Sequence, residues 1–448
     1  MSGQGIKGTV KIITLGCAKN EVDSEEIAGV LRQEGFVLDG TASRPDVIVI
    51  NTCGFLEAAK REALAVIKDA IQDKKRGKTK KVIVAGCLPQ RLGEALVKDL
   101  PEVDAFIGVG QMSRFGEIVG NTLGLTQRLI DIQAPHHRWA DVGTRARAGA
   151  PWSAYLKISE GCDHECTFCT IPSFRGPHIS KPMERILEEA RLLASEGTQE
   201  INLIAQDSSQ YGHDYYQRLM LPDLLRDLSR IEGLHWIRPL YCYPTRVSDA
   251  LIDTLASLPN TCHYFDIPLQ HADKEVLRAM KRPGDAQTYL KLLERMRLAM
   301  PDVAIRTTFI VGFPGETEEQ FNRLLEFIKD ANFDRAGAFL YSAESGTPSA
   351  EMPNQVPQRL KRERYSQVMQ LQQKISLAKN KEWEGRVMEV LIEARSAKSP
   401  NYSIGRSYRD APEIDGQVFI KDCAAPLGTF IKAKITQAAE YDLFAEMA

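Results

Sequence analysis

YLKISEGCDHECTFC, residues 155–169, joins a strand candidate to a loop that carries three cysteines. Cys162, Cys166 and Cys169 fall within eight residues of one another. Three thiolates so close together can hold a four-iron cluster and leave one iron open to a small molecule. Zinc is the alternative, but structural zinc generally takes a fourth ligand, and His164 inside the loop is poorly placed to supply it. The spacing therefore favours an iron-sulfur cluster.

Strand candidates continue beyond this loop, with helical patterns between them. Together with the first strand they make six βα repeats, which predict a partial barrel of the triosephosphate-isomerase kind over residues 148–377. The cysteine loop follows the first strand, where such barrels carry their functional loops. A long polar helix over roughly 357–383 leads out of the barrel. The strand candidates are 155–159, 200–206, 236–242, 264–270, 303–313 and 335–342.

Three further cysteines, Cys17, Cys53 and Cys87, lie at the carboxyl ends of earlier strand candidates. From residue 10 to about 120, β-branched runs alternate with amphipathic segments, which predicts a parallel α/β domain over residues 8–122. Ligands bind at this edge of an open parallel sheet, so we expect the topology to bring the three thiols together. The alternative is that they are small buried residues at strand ends. Residues 121–150 are predicted to be a linker that packs against the rest of the chain.

The last segment, residues 380–448, shows short strands separated by turns, which predicts a small antiparallel β-barrel. It carries nine Lys and Arg against eleven Asp and Glu. A module that holds RNA is usually basic, so this balance does not favour nucleic acid. The chain as a whole is predicted to be α/β.

The composition is that of an ordinary globular protein, with 448 residues, 26% charged residues and a formal net charge of -2. No global basic field draws the molecule onto nucleic acid. The amino terminus lacks a secretory signal and no stretch is apolar enough to cross a membrane, so we expect a cytoplasmic protein with no membrane partner. Nine cysteines in such a chain favour metal or catalytic thiols over disulfides.

The cysteine loop resembles the radical S-adenosylmethionine superfamily, whose hallmark is Cys-x-x-x-Cys-x-aromatic-Cys, with Phe168 as the aromatic residue. The resemblance implies that Cys162, Cys166 and Cys169 hold a 4Fe-4S cluster whose open iron binds S-adenosylmethionine. It further implies reductive cleavage to a 5′-deoxyadenosyl radical and an external electron donor such as flavodoxin. The partial barrel is the usual core of that superfamily.

The stretches GCAKNEVDSE (16–25), NTCGF (51–55) and AGCLPQR (85–91) resemble the cysteine signatures of methylthiotransferases. This resemblance implies that Cys17, Cys53 and Cys87 bind a second 4Fe-4S cluster, which delivers sulfur. The final segment resembles a TRAM domain.

One methylthiotransferase branch modifies an adenosine next to the transfer-RNA anticodon, and another modifies an aspartate of ribosomal protein S-twelve. The motifs here are similar to the second branch, since the first typically reads GCQMN at the first cysteine and Val-Gln-Ser-Gly where this chain has Leu269-Gln270-His271. The implied partner is ribosomal protein S-twelve, free or on the assembled small subunit. Asp410, Glu413 and Asp415 are expected to form an acidic surface that suits a basic ribosomal protein; a solvated turn is the alternative.

Four more residues are expected near the cofactor: Phe168, Gln206, Arg306 and Gly312. Gln206 and Arg306 are polar residues in apolar strands, which indicates either site chemistry or a satisfied core hydrogen bond. Gly312 could let the backbone approach a nucleoside, and a plain turn is the alternative. Cys242, Cys262 and Cys423 lack motif context and are predicted to be structural.

Two distant functions remain as alternatives. A non-catalytic iron-sulfur or zinc scaffold would use the same cysteines but would form no 5′-deoxyadenosine. A dinucleotide-binding dehydrogenase would suit the alternating strands and helices, but no glycine-rich fingerprint follows a strand.

Overall fold

A computed structural model describes residues 7–124, 126–135 and 139–448. The first domain is built on a parallel sheet whose strands lie in the order β2-β1-β3-β4-β5-β6. The strands β1, β3 and β4, which precede the three early cysteines, are therefore neighbours, as the sequence predicts. The strands are β1 (Gly8–Thr14), β2 (Phe36–Leu38), β3 (Val47–Thr52), β4 (Lys81–Gly86), β5 (Ala105–Ile107) and β6 (Leu129–Asp131).

Helices cover both faces of this sheet, so its central strands β3 and β4 are mostly apolar. Every residue of β3 is buried, as expected for a parallel strand between two helical layers. Ile27 and Phe115 pack on one face, and Ile67 and Leu96 on the other. The helices are α1 (Ala18–Gln33), α2 (Glu57–Lys75), α3 (Cys87–Leu92), α4 (Glu94–Asp99) and α5 (Phe115–Gly124).

The segment after α5 returns to the first domain before it enters the second. Strand β6 pairs with β5 and extends the sheet past residue 122, where the sequence predicts the domain to end. Gly29 of α1 then allows the chain to cross closely, because a β-carbon there would lie 1.3 Å from the carbonyl oxygen of Thr144. The predicted linker is thus packed onto α1.

The second domain contains the predicted barrel strands, and all of them are parallel. They form two sheets, β7-β10-β11 and β12-β13-β14, which an isolated parallel bridge between Ile237 and Thr261 connects into one open barrel wall. A short antiparallel pair, β8 and β9, flanks the cysteine loop. The strands are β7 (Ser153–Lys157), β8 (Ser159–Glu160), β9 (Ile179–Ser180), β10 (Glu200–Ile204), β11 (Trp236–Pro239), β12 (Tyr264–Asp266), β13 (Ala304–Val311) and β14 (Arg335–Leu340).

Amphipathic helices pack outside the barrel and close its core. Leu224, Phe321 and Phe327 are among the buried side chains that they contribute. The helices are α6 (Ile171–Arg175), α7 (Met183–Ser195), α8 (His213–Tyr216), α9 (Leu221–Leu228), α10 (Asp249–Ser257), α11 (Lys274–Ala279), α12 (Ala286–Ala299), α13 (Glu318–Ala331) and α14 (Gln358–Lys381). The last of these is the predicted polar connector.

The final segment forms a closed barrel in the strand order β15-β16-β17-β19-β18. The sequence predicts an antiparallel barrel, and this is right for every pair except β17 with β19, which is parallel. The strands are β15 (Val387–Arg395), β16 (Tyr402–Arg406), β17 (Val418–Lys421), β18 (Phe430–Ala438) and β19 (Leu443–Met447). The last strand was not expected from the sequence, and it closes the barrel.

The small barrel docks at the amino ends of the large-barrel strands, through buried charges. Arg406 places its guanidinium 2.6 Å from the Glu200 carboxylate at the start of β10, and Arg238 lies 3.2 Å from the same carboxylate. Arg335 at the start of β14 pairs with Asp410 at 2.9 Å. The small barrel therefore covers the end of the large barrel opposite the cysteine loop.

This docking corrects the expected acidic surface. Asp410 is buried against Arg335, and the Asp415 side chain is buried where the Tyr264 hydroxyl donates to it at 2.6 Å. Only Glu413 of the three is exposed. Asp410 and Asp415 instead pair with arginines of the large barrel. The sequence pattern does not reveal this pairing. In the described part of the chain, no helix is long and apolar enough to cross a membrane.

Candidate functional site

The three early cysteines converge at the carboxyl edge of the first sheet. Cys53 and Cys87 directly follow β3 and β4, and Cys17 is the N-cap of α1 after β1. Gly16 adopts a φ of +112°, and a β-carbon there would lie 2.7 Å from that of Cys53. Only glycine allows the first two loops to approach so closely. The structure therefore brings these cysteines together, as predicted.

Buried amide side chains hold the loops in register. Asn20 donates to the carbonyl oxygens of Leu15, at 2.9 Å, and Thr52, at 3.0 Å, so one side chain joins the segments that carry Cys17 and Cys53. Arg91 donates to the carbonyl oxygen of Gly54 at 2.7 Å from the third segment. These bonds fix the backbone of the cysteine loops independently of what the thiols bind.

The electrostatics of this cysteine set suit a cationic centre. Burial, with a smaller contribution from the charge of Cys17, raises the pKa of the Cys53 thiol, and burial with the charges of Cys53 and Cys17 raises that of Cys87 to about 12. Thiolates that are shielded from water and close enough to repel one another need a positive charge between them. Iron supplies that charge, so the donor set fits an iron-sulfur cluster.

The second cysteine set lies on the loop after β8, at the carboxyl end of the large barrel. The backbone N–H of Cys162 donates to the carbonyl oxygen of Gly176 at 3.1 Å, and that of Cys169 donates to the carbonyl oxygen of Cys166 at 3.0 Å. Burial, together with the charges of Asp207 and the neighbouring thiols, raises the pKa of Cys162 to about 12, and burial with the neighbouring thiols raises that of Cys169 to about 12. Arg282 directs its guanidinium to the Cys166 sulfur at 3.8 Å. These residues fit a cluster in the same way.

A cluster differs from a single ion in the spacing of its ligands. Within residues 7–124, 126–135 and 139–448, no three His, Cys, Asp or Glu side chains are arranged to hold one metal ion. His164 binds elsewhere, since its ring nitrogen lies 2.7 Å from Asp207.

Helix α6 connects the two cysteine sets. It begins two residues after Cys169 and ends at Arg175, whose guanidinium lies 3.1 Å from the Cys87 sulfur. The same guanidinium lies 3.0 Å from Glu160 in β8. Phe174 packs with Cys87 in a buried cluster between the domains. Both sets therefore adjoin one short helix at the junction of the domains.

Buried charges surround this helix. Asp23 of α1 lies 3.3 Å from Arg175 and also pairs with Lys157 of β7, which in turn lies 2.9 Å from Glu160. All four side chains are buried. Alternating charges of this kind stabilise a fixed orientation of the domains when every member is paired.

Two residues expected near the cofactor adjoin the second cysteine set. Gln206 follows β10 and donates to Glu160 at 3.1 Å, while its amide oxygen is buried and lacks a hydrogen-bond partner among the described residues. A buried acceptor of this kind suits a ligand that donates. Phe168 packs with Met280 and Phe313 at the carboxyl end of the barrel.

The other two expected residues are engaged by the protein. Arg306 of β13 lies 2.7 Å from Asp266 and 3.4 Å from Asp415, so it joins the barrel wall to the small barrel. Gly312 has a φ of +75° and donates its N–H to Glu316 at 2.8 Å. It forms the turn that the sequence leaves as the alternative, and its approach to a nucleoside stays a prediction.

Sequence reasoning missed Arg175, Glu160, Lys157 and Asp23. Each carries a charge in a strand, helix or loop that folding buries, and none belongs to a spacing motif. The only sequence feature that could have pointed to any of them is the position of Glu160 and Arg175, which flank the cysteine loop. Cys242, Cys262 and Cys423 are buried away from both sets, in agreement with a structural role.

Comparisons with known proteins agree with this arrangement. Family models match residues 156–328 (radical SAM superfamily), 9–108 (uncharacterized protein family UPF0004) and 385–448 (TRAM domain). Ribosomal protein uS12 methylthiotransferase RimO of Desulforamulus reducens is 45% identical over 441 residues, covering 98% of this chain and 99% of its own. The chain belongs to the RimO family.

Other RimO proteins match in the same way. That of Geobacter sulfurreducens is 42% identical over 98% of this chain and 99% of its own. A solved radical S-adenosylmethionine methyltransferase, TsrM of Kitasatospora setae, superimposes with a TM-score of 0.59 over 76% of each chain at 14% identity, which shows the fold alone. RimO membership makes this chain a radical S-adenosylmethionine enzyme whose cofactors include a 4Fe-4S cluster. The family prediction is confirmed, and the scaffold and dehydrogenase alternatives are not supported.

Proposed function

We propose that this chain inserts a methylthio group at the β-carbon of an aspartate in uS12, which is ribosomal protein S-twelve. The observation that carries the proposal is the placement of two cysteine sets on either side of α6. Cys169 stands just before this helix, and Cys87 lies 3.1 Å from its last side chain, Arg175. A reaction that makes a radical and then adds sulfur at the same carbon needs both centres beside one substrate.

The cysteines divide between two clusters in this proposal. Cys162, Cys166 and Cys169 hold the cluster that binds S-adenosylmethionine, and Cys17, Cys53 and Cys87 hold a second, auxiliary 4Fe-4S cluster. When bound, these groups supply hydrogen abstraction, the methyl group and the sulfur. The chain supplies the rest: it orients both cysteine sets through α6, and it buries Cys87 while leaving four of the other five cysteines only partly exposed.

Polar barrel residues orient the cofactor. The unpartnered amide oxygen of Gln206 accepts a hydrogen bond from S-adenosylmethionine, and Phe168 supplies an apolar wall beside the cysteine loop. Gly312 and Arg306 stay predicted contacts, and their existing bonds indicate that they act by shaping the barrel rim.

The partners follow from the family. The substrate is uS12, either free or on the assembled small subunit, and an external donor such as flavodoxin supplies electrons. Because the substrate is a ribosomal protein, the reaction takes place in the cytoplasm. Glu21 and the exposed Glu413 line a cavity of about 320 Å³ whose walls carry five carboxylates and three arginines, and this negative balance favours a basic protein.

Mass spectrometry of ribosomal proteins tests the proposal. Cells that contain this gene should show uS12 heavier by one methylthio group in place of a hydrogen, and cells without it should not. Unmodified uS12 in both strains would contradict the proposal. Gene-dependent methylthioadenosine in transfer RNA would identify the other methylthiotransferase branch.

Cysteine variants test the division between the clusters. Cys162→Ala should abolish formation of 5′-deoxyadenosine from S-adenosylmethionine and reductant, because the radical cluster loses a ligand. Cys53→Ala should spare some cleavage and abolish methylthiolation, with roughly half the iron remaining. Cys423→Ala is the matched control, because that thiol is buried in the small barrel. Normal product from Cys53→Ala would contradict the two-cluster assignment.

A further inference from the structure

Lys19 is a buried cation without a counter-ion. It lies in the first turn of α1, two residues after Cys17, and only 8% of its surface is exposed. Among the described residues, no carboxylate lies within ion-pair distance of its ammonium, whose recorded contact is the ring of Tyr241 at 3.9 Å. Every other buried lysine described, for example Lys60 with Glu344, has a hydrogen-bonding acceptor.

This placement leaves the ammonium ready to pair with an incoming anion. The Lys19 stem is buried, whereas its nitrogen is not among the fully enclosed unpartnered atoms, so an anion can reach the ammonium from solvent. The amino end of α1 adds further positive potential, because its peptide dipoles point the same way, and cations are normally excluded there. The Cys17 side chain makes no capping hydrogen bond to offset it. Both features attract a negatively charged group to one point.

Nearby acidic groups are already engaged. Tyr241 follows β11 and donates its N–H to Asp266 at 3.2 Å, but Asp266 pairs with Arg306 at 2.7 Å. Glu21, two residues beyond Lys19, lines the separate cavity beside the small barrel. No protein carboxylate described here is thus left to neutralise Lys19.

The pair lies at the carboxyl edge of the first sheet and at the carboxyl end of the large barrel. Tyr241 stands past the carboxyl end of a barrel strand and adopts a φ of +61°, which is strained for an aromatic residue. The Tyr241 ring lies against α1, and the face of the ring contacts the Lys19 ammonium in a cation-π interaction. Lys19 therefore bridges the first domain and the barrel beside Cys17.

We propose that Lys19 binds the side-chain carboxylate of the acceptor aspartate, with Tyr241 as the positioning residue that holds the ammonium. The inference rests on the proposed function and names the group that selects its substrate. The β-carbon is one bond from the carboxylate carbon. A carboxylate held two residues from Cys17 thus presents that carbon to the cysteine edge from which sulfur is delivered.

Two other anions could occupy the same point. The carboxylate of S-adenosylmethionine has the same chemistry, and the negative charge of a cluster bound by Cys17 has the same sign. The first predicts that Lys19 controls cofactor binding, and the second predicts that it controls the spectrum or iron content of the auxiliary cluster.

Binding of uS12 to the reconstituted enzyme without reductant distinguishes these cases. The probes are uS12 and uS12 whose acceptor aspartate is replaced by asparagine. The variants are Lys19→Met, which keeps the apolar stem, Lys19→Arg, which keeps the charge, and Lys68→Met, an exposed control in the same domain. Tyr241→Phe keeps the ring, and Tyr241→Leu removes it.

We expect Lys19→Met to weaken binding of the aspartate form about 30-fold and to leave binding of the asparagine form unchanged. Lys19→Arg and Tyr241→Phe should retain most of the preference, Tyr241→Leu should lose part of it, and Lys68→Met should match the parent. Iron content and the electron paramagnetic resonance spectrum should stay the same throughout.

Three results would overturn the inference: equal weakening of both uS12 forms, a loss of S-adenosylmethionine binding with unchanged preference for aspartate, or an altered auxiliary-cluster spectrum with that preference intact. Failure of the proposed function looks different, because the parent enzyme would then neither bind nor modify uS12 whatever stands at position 19.

Discussion

Arg175 shows how one side chain can determine the environment of a cluster. Its guanidinium donates to the Cys87 sulfur at 3.1 Å and to Glu160 at 3.0 Å, and it lies fully buried between the domains. A cationic N–H donor to a ligand sulfur stabilises the more negative, reduced form of a cluster. In the proposed arrangement, Arg175 would therefore link the potential of an auxiliary cluster held by Cys87 to the orientation of the radical domain.

Replacement of Arg175 by methionine tests both effects. We expect the reduction potential of the auxiliary cluster to shift to more negative values, because the donor is lost. The free energy of unfolding should fall by about 3 kcal/mol, because Asp23 and Glu160 lose a buried partner. Potentiometric titration measures the reduction potential, and urea unfolding measures the free energy of unfolding. The exposed Arg61→Met is the control for both. An unchanged potential would show that the sulfur contact has no electrostatic role.

The residues that sequence could predict are those whose identity implies their chemistry. The six cysteines could be found from the sequence, because three share one short loop and the other three each follow a predicted strand. Arg175 and Lys19 could not, because surface arginine and lysine are common and only the packing of α6 and α1 reveals that these two are buried. The prediction that Asp410 and Asp415 form an acidic surface was wrong for the opposite reason. Both look like surface residues in the sequence, but folding pairs them with arginines of the large barrel.

At the scale of elements, the amino end of β10 is the joint that holds the small barrel. Glu200 is fully buried and receives Arg406 from β16 and Arg238 from β11. Although burial raises the pKa of this carboxyl, the arginines outweigh that effect and lower the pKa to about 2. The folded pKa lies below the unfolded value, so ionised Glu200 stabilises the fold above about pH 4.5, and this stabilisation is lost as the pH falls toward 2.

Glu200→Gln should therefore destabilise the protein most at neutral pH. We expect a deficit of about 3 kcal/mol at pH 7 that shrinks to less than half by about pH 3, where the parent carboxylate also begins to protonate. Urea unfolding of both proteins across this range measures the difference, and the exposed Glu446→Gln should show none. A deficit that does not change with pH would mean that ionisation of Glu200 does not stabilise the joint.

Elements were predictable where periodicity was strong. The three strands before the early cysteines carry β-branched runs, the large-barrel strands are short apolar stretches between helical patterns, and the structure has each of them. Strands β2, β5 and β6 have three residues each and leave too short a pattern. Strand β19, LFAEM, was missed because it contains no β-branched residue, yet without it the small barrel could not close.

The whole molecule presents a closed side and an open side. The small barrel covers the amino ends of the large-barrel strands, so a macromolecular substrate has to approach the cysteine sets from the junction between the domains. Glu21 of α1 and Glu413 of the small barrel line the cavity at one edge of this junction. Burial raises the pKa of Glu21, and the charge of Glu413 raises it further, which shows that the two carboxylates are close enough to act together.

Charge reversal at Glu413 tests whether this edge guides uS12. We expect Glu413→Lys to slow association with uS12 about threefold to tenfold at low salt, and the difference should diminish as salt screens the charges. Cleavage of S-adenosylmethionine should be unaffected, because Glu413 lies at the end of the barrel opposite Cys162. Stopped-flow association at several salt concentrations measures the effect, with Glu446→Lys as a control of equal charge on the same barrel. If both variants slow association equally, only the net charge matters, and the edge between α1 and the small barrel has no specific part in capture.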